Sequence, residues 1–197
     1  MVFIAIFFCL LQKRNLKIII QSKRKDNTML NEKMEKELNE QINKEFYSEF
    51  LYLAMKAKFA EMNLQGFVNW FDVQVQEERA HAYGMYDYVI ERGGKIELMT
   101  IDKPEIEGTT PVEIFEHVLK HEQFVTSRIN HLLDVAEEVK DRAAMSFLDW
   151  FVKEQVEEES SVGKVLATLK LIGDDKNALL LFDKDLAARV FTAPVIG

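Results

Sequence analysis

Cysteine is almost missing from this chain: Cys9 is the only one in 197 residues. One thiol excludes an intrachain disulfide and any iron–sulfur or rubredoxin-like site built on cysteine. It fits a reducing compartment, and a cytoplasmic location is expected. Proline and glycine are scarce, at three and eight residues, so little interrupts long helices. Few segments alternate apolar and polar residues with period two, so no sheet is expected. What is present suits one soluble domain with a sizeable core, 48% hydrophobic and 29% charged.

Net charge is −8, but it is unevenly spread. Residues 1–28 hold six of the 25 Lys/Arg and one of the 33 Asp/Glu, so the remainder carries about −13. An acidic body of that kind repels nucleic acid and attracts cations. Most of these charges are expected to be a solubilising surface.

The first 28 residues read differently from the rest. MVFIAIFFCLL is apolar but holds only 11 residues, against the ~20 a membrane-crossing helix needs. No basic residue precedes it and no small-residue cleavage site follows, so it makes a poor signal peptide. Arg24-Lys25-Asp26 can be encoded by a ribosome-binding sequence at suitable spacing before a Met29 codon. The expectation is that the native protein starts at Met29 and that residues 1–28 are an upstream translation artefact, disordered or loosely helical. An anchor or signal is the alternative. Residues 29–197 form the second unit.

From Met29 onward the apolar residues step by three and four, as on the inner stripe of a bundle helix. One series runs Phe67, Phe71, Gln74, Glu78, His81, Met85, Tyr88. A second runs Phe115, Val118, Glu122, Val125, Ile129, and a third Leu148, Phe151, Gln155, Glu158, Val162. Leu38, Ile42, Glu45, Glu49, Tyr52, Lys56 and Phe59 form a less clean fourth. Each series is apolar at its ends and polar in its middle. A buried carboxylate without a counter-charge costs several kcal/mol, so four of them in phase on four helices require something cationic between them.

The stops and starts give an all-α organisation. A first helix is expected over about 31–63 and a second over about 64–92, stopped by Gly93-Gly94. A connection of about 16 residues follows, too long for a hairpin between neighbours. Thr110-Pro111-Val112-Glu113 opens a third helix with a capping box and proline at its first position. Asp141 can cap a fourth, which stops at Gly173, and a short fifth is expected over about 175–190 with Ala178, Leu181, Phe182 and Leu186 on one side. Two short links and one long crossover give an up-down-down-up four-helix bundle.

Glu78-x-x-His81 puts a carboxylate and an imidazole one turn apart, where both reach one metal. That pair alone is a weak signal; its register with Glu45, Glu122 and Gln155-x-x-Glu158 makes a dinuclear site the reading. Four carboxylates balance two divalent ions. Carboxylates with one imidazole suit iron(II) or manganese(II), and a structural zinc site more often uses Cys or several His. Gln155, neutral and weak, leaves coordination positions open for O2. His117, His121 and His131 are read as ordinary polar residues.

Four stretches carry a resemblance: LNEQINKEFYSEFLYL around Glu45, QVQEERAHAYGMYDYV around Glu78, KHEQFVTSRIN around Glu122 and FLDWFVKEQVEEE around Gln155. Over about residues 29–188 the chain resembles the non-haem bacterial-type ferritins. The resemblance implies a ferritin-like bundle with a long B–C crossover, packed as a homo-oligomeric shell of 24 subunits with the fifth helix around a four-fold axis. It implies ferroxidase activity, with Fe(II) and O2 or peroxide as substrates and a ferric oxide mineral stored inside. By matched motif, Glu45, Glu78 and His81 hold one iron. Glu78, Glu122 and Glu158 hold the other, with Gln155 close by and Glu78 bridging. A third iron site maps to Glu77, Glu154, Glu157 and Glu158. Tyr52 matches a tyrosine beside the diiron centre that donates an electron, though a plain core tyrosine is the competing reading. No haem is expected, since no helix-B methionine of the bacterioferritin kind is found, and neither nucleic acid nor membrane is an expected partner. Gln155-x-x-Glu158 departs from the second Glu-x-x-His of bacterioferritin and rubrerythrin, which implies a more labile second metal. A rubrerythrin-type oxidase remains the rival reading; it would normally carry a cysteine-based electron-delivery module.

Overall fold

The structure, a computed structural model, describes residues 29–196. The expectations for residues 1–28 lie outside that range. Five helices follow in order: α1 (Glu32–Glu61), α2 (Gln65–Glu91), α3 (Pro111–Glu138), α4 (Arg142–Ile172) and α5 (Lys176–Leu186). Among the described residues there is no strand, and no helix is long and apolar enough to cross a membrane.

Local chemistry sets most of the boundaries. The Thr110 hydroxyl accepts from the Glu113 amide at 3.3 Å, and the Glu113 carboxylate accepts from the Thr110 amide at 3.0 Å, closing the capping box. Asp141 accepts from the Ala144 amide at 3.0 Å and also holds Arg92 at 2.9 Å, tying the start of α4 to the end of α2. Asn63 and Lys140 take left-handed φ values of 61° and 58° at the two tight links. Helix α2 has no side-chain cap of its own at Leu64. Its cap comes from far along the chain: Asp183 on α5 accepts from the Gly66 and Phe67 amides at 2.8 and 3.0 Å. A Cβ on Gly66 would sit 1.5 Å from the Asp183 carbonyl oxygen, so only glycine admits this approach.

Helix α5 is shorter than the expected 175–190. Asn69 on α2 donates to the carbonyls of Leu186, Ala187 and Arg189 at 3.3, 3.3 and 2.9 Å. Those bonds hold the chain in a turn at 187–188 and out of the helix from Arg189 onward. Its buried side is also rotated from the expected one: Leu179, Phe182 and Leu186 pack on the core, whereas Leu181 is exposed.

α1 pairs lengthwise with α2, and α3 with α4. The core has two apolar halves. One is aromatic, with Phe59 and Phe67 stacked at 4.8 Å and Phe71, Trp70 and Phe115 around them. The other is mainly aliphatic, built on Met34, Leu38, Ile42, Val89, Leu132 and Leu148. The polar middles of the four seams lie between these halves.

Candidate metal centre

That middle layer is buried and acidic. Glu45, Glu78, His81, Glu122, Gln155 and Glu158 are each no more than 5% exposed. The four-and-three spacing puts them there: each sits one or two turns from an apolar residue of its own seam, and the seams face each other.

Glu45, Glu78 and His81 have ligand atoms within 4.8 Å of one another. His81 Nδ1 lies 3.9 Å from Glu78 Oε2. The Gln41 amide donates to Glu45 Oε1 at 2.8 Å, while Glu45 Oε2 and His81 Nε2 are buried with no hydrogen-bond partner. Buried polar atoms are seldom left unpaired. The orphaned Glu45 Oε2, and the orphaned His81 Nε2 3.8 Å from Glu154 Oε1, are donor atoms of the kind a divalent ion takes, so these residues fit one.

The second expected set is not assembled in the same way. Glu122 accepts from the Tyr52 hydroxyl and from the Gln155 amide, the latter at 3.2 Å. Both of its oxygens are engaged, and it joins neither ligand group. Glu158 accepts from Gln74 at 3.1 Å and instead groups with His81 and Glu154, again within 4.8 Å. Glu154 Oε1 is 3.8 Å from His81 Nε2. Of the third set, Glu154 reaches this group. Glu157 is exposed, and Glu77 is taken by the Arg189 guanidinium at 2.7 Å. Gln155 acts as a donor to Glu122 and, at 3.4 Å, lies against Thr126.

Proton affinities follow from burial and crowding. Burial raises Glu78 well above the carboxylate range, and the charges of Glu122, Glu45 and Glu158 push it further. Burial carries Glu122 to about 7 against the opposing bonds from Tyr52 and Gln155. It carries Glu158 to about 7, with Glu122 adding to the push. Burial also raises Glu45, offset in part by His81 and Gln41. His81 is lowered by burial but lifted more by Glu154, Glu45 and Glu158, ending above its ordinary value. Burial, then Glu122, drives Tyr52 well above 10. Four carboxyls held toward neutrality by burial in one layer would exchange their protons for a bound cation.

The polar partners were harder to anticipate. Gln74 stood in its seam series without a role, and Gln41 sits one turn before Glu45. His121, expected to be an ordinary polar residue, is buried at 9% exposure. Its Nε2 is 2.8 Å from the Ser48 hydroxyl and its ring meets Tyr52 edge-on at 5.8 Å. Burial lowers it to about 4, so it packs as a neutral ring. The inward face of α3 is wide enough to take both His121 and Glu122.

Comparison with known proteins agrees with this architecture. The family described as Ferritin-like domain matches residues 35–172. The bacterial non-heme ferritin of Staphylococcus saprophyticus is 44% identical over 163 residues, covering 83% of this chain and 98% of that one. That of Staphylococcus aureus is 40% identical over the same length and coverage. Among solved structures, a humanized archaeal ferritin superposes with a TM-score of 0.81 at 51% identity, over 83% of this chain and 99% of that one. An open-pore ferritin from the archaeon Archaeoglobus fulgidus gives 0.80 at 48% identity, over 82% and 99%.

Proposed function

The chain belongs to the ferritin family, and on that premise we propose that it stores iron and is itself a ferroxidase. Fe(II) is the substrate, O2 or peroxide takes its electrons, and Fe(III) hydrolyses with release of protons to a ferric oxide mineral. In this reading Glu45, Glu78 and His81 bind the first ferrous ion. Glu78, Glu122 and Glu158 bind the second, with Gln155 holding Glu122 in place and Glu78 shared. The protein's part is to fix the two ions close together and to surround them with negative charge, which favours Fe(III) over Fe(II). Tyr52, bonded to Glu122, is placed to supply an electron. Glu77, Glu154, Glu157 and Glu158 belong to a third iron position.

The observation that carries this reading is the buried Glu45–Glu78–His81 group, in which Glu45 Oε2 has no partner. Binding the second ion requires Glu122 to turn away from Tyr52 or to share its oxygens, which a flexible carboxylate allows. The same reading places the protein in the cytoplasm as a 24-subunit shell without haem. Exposed Phe50, Leu53, Tyr83, Ile90 and Phe124 on the bundle exterior support burial against other copies.

Aerobic Fe(II) titration followed by absorbance tests the activity. The expected trace breaks near two or three irons per subunit. A linear rise no faster than buffer alone contradicts the ferroxidase assignment. Size-exclusion chromatography tests the shell: elution near half a megadalton is expected, and a dimer would favour a diiron oxidase instead.

A further inference from the structure

The described C-terminal segment after α5 does not hang free. It runs back along α2 as a strap. Asn69 holds its first carbonyls. Arg189 donates to the Trp70 carbonyl at 3.3 Å and lies 4.8 Å over the Trp70 ring. Ile196 packs on Gly84, where an added Cβ would meet it at 2.7 Å. At the middle of the strap, Arg189 Nη2 sits 2.7 Å from Glu77 Oε2, and both side chains are about four-fifths covered, at 23% and 19% exposure. A guanidinium keeps its charge at any working pH.

We propose that Arg189 is a tethered counter-cation for Glu77, and that a third divalent ion binds there only by displacing the C-terminal strap. The inference rests on the assignment of Glu77 to the third cation. Two positive charges cannot share one partly covered carboxylate without mutual repulsion, so the arginine and the ion compete. The competition orders the sites: the deep pair fills first, and the third fills at the cost of releasing Arg189, Asn69 and the strap's contacts. The strap thereby makes the third position the weak, exchangeable one, and couples its occupancy to the order of residues 187–196.

The test uses the assembled protein stripped of metal and titrated calorimetrically with Zn(II) alone, a redox-inert probe. In R189M the stem still covers Trp70 but the charge is gone. That variant is expected to tighten the weakest class of site about tenfold, the size of one charge-assisted bond, and to leave the tight pair unchanged. R189K, which keeps the charge, is expected to leave the weak class weak. E77Q should remove the weak class, with R189M adding nothing on top of it. Hydrogen exchange over residues 187–196 should quicken in the wild type as the last site fills. If R189M leaves the weak class as it was while E77Q removes it, Glu77 remains a ligand and the counter-cation role is wrong. Tightening by R189K equal to that by R189M also overturns the role, because shape rather than charge would then matter. If E77Q changes no class, the third-cation assignment fails and the inference with it. Unchanged exchange in the strap at saturation contradicts displacement.

Discussion

Replacing Glu78 with glutamine should make the metal-free protein more stable, not less, by an amount that grows as pH rises from acid to about 8. Glu78 is 2% exposed and is crowded by Glu122, Glu45 and Glu158. A carboxyl carried from 4.5 to about 7, as Glu122 and Glu158 are, costs the fold about 3 kcal/mol at pH 8. The sign follows from proton counting. A carboxyl with a raised native value holds its proton when the unfolded chain has lost it. Stability is therefore untouched below pH 4.5 and falls as pH climbs toward and past 7. Burial, then the charges of Glu122, Glu45 and Glu158, raise Glu78 in the same direction, so its conversion to a neutral amide removes a penalty of the same sign. The amide can also donate to Glu45 Oε2, which has no partner. The gain expected for relieving one uncompensated buried group is about 1–3 kcal/mol at pH 8, or about 3–10 °C in Tm for a domain of this size. At pH 5 it should be close to zero. The assay is calorimetric melting of chelator-treated wild type and E78Q at both pH values. Adding Zn(II) should reverse the order at pH 8, because only the wild type keeps the ligand shared by the first two ions. A variant that melts lower than wild type in chelator at pH 8 would falsify the repulsion argument, as would an equal gain at pH 5.

Three further outcomes follow from single contacts. Asp183→Ala removes the cap of α2, and should cost about 1–2 kcal/mol and raise hydrogen exchange across residues 176–186; unaltered exchange there would contradict the capping assignment. Tyr52→Phe leaves Glu122 without its hydroxyl donor, and should slow Fe(II) oxidation in stopped-flow while sparing assembly; an unchanged rate would reduce Tyr52 to core packing. At Asp141, burial pulls the carboxyl upward, but Arg92 and the Ala144 amide hold it below the ordinary range. Its contribution is therefore present above about pH 4 and lost as pH falls through its native value, so D141A should cost about 1–2 kcal/mol at pH 7 and little in acid, as read by urea melts at the two pH values.

The seams are the part of this structure that sequence makes legible. Steps of three and four put Glu45, Glu78, Glu122 and Glu158 in register with residues such as Phe71, Val118 and Phe151, and all are buried. A buried helix face is decided by its own periodicity, so local reasoning reaches it. Helix limits set by neighbours in sequence, such as Thr110 with Glu113, are legible for the same reason. Contacts made by distant segments are not. Nothing near Gly66 announces that Asp183 will cap α2, and nothing near Glu77 announces Arg189. The rotation of α5, which exposes Leu181, and the early end of that helix both depend on docking against α2. His121 was missed because a single stripe underestimates a face wide enough to take two adjacent positions. Choice of rotamer lies outside periodicity too: spacing brings Glu122 to the centre, but Tyr52 and Gln155 decide where its oxygens point.

Acids from four helices are proposed to meet around a pair of ions, and anomalous diffraction from crystals soaked anaerobically in Fe(II) tests that most directly. Two strong iron peaks are expected in the buried layer, one among Glu45, Glu78 and His81 and the other among Glu78, Glu122 and Glu158. Iron found only on exposed surface carboxylates, with the buried layer empty at saturating Fe(II), would contradict it.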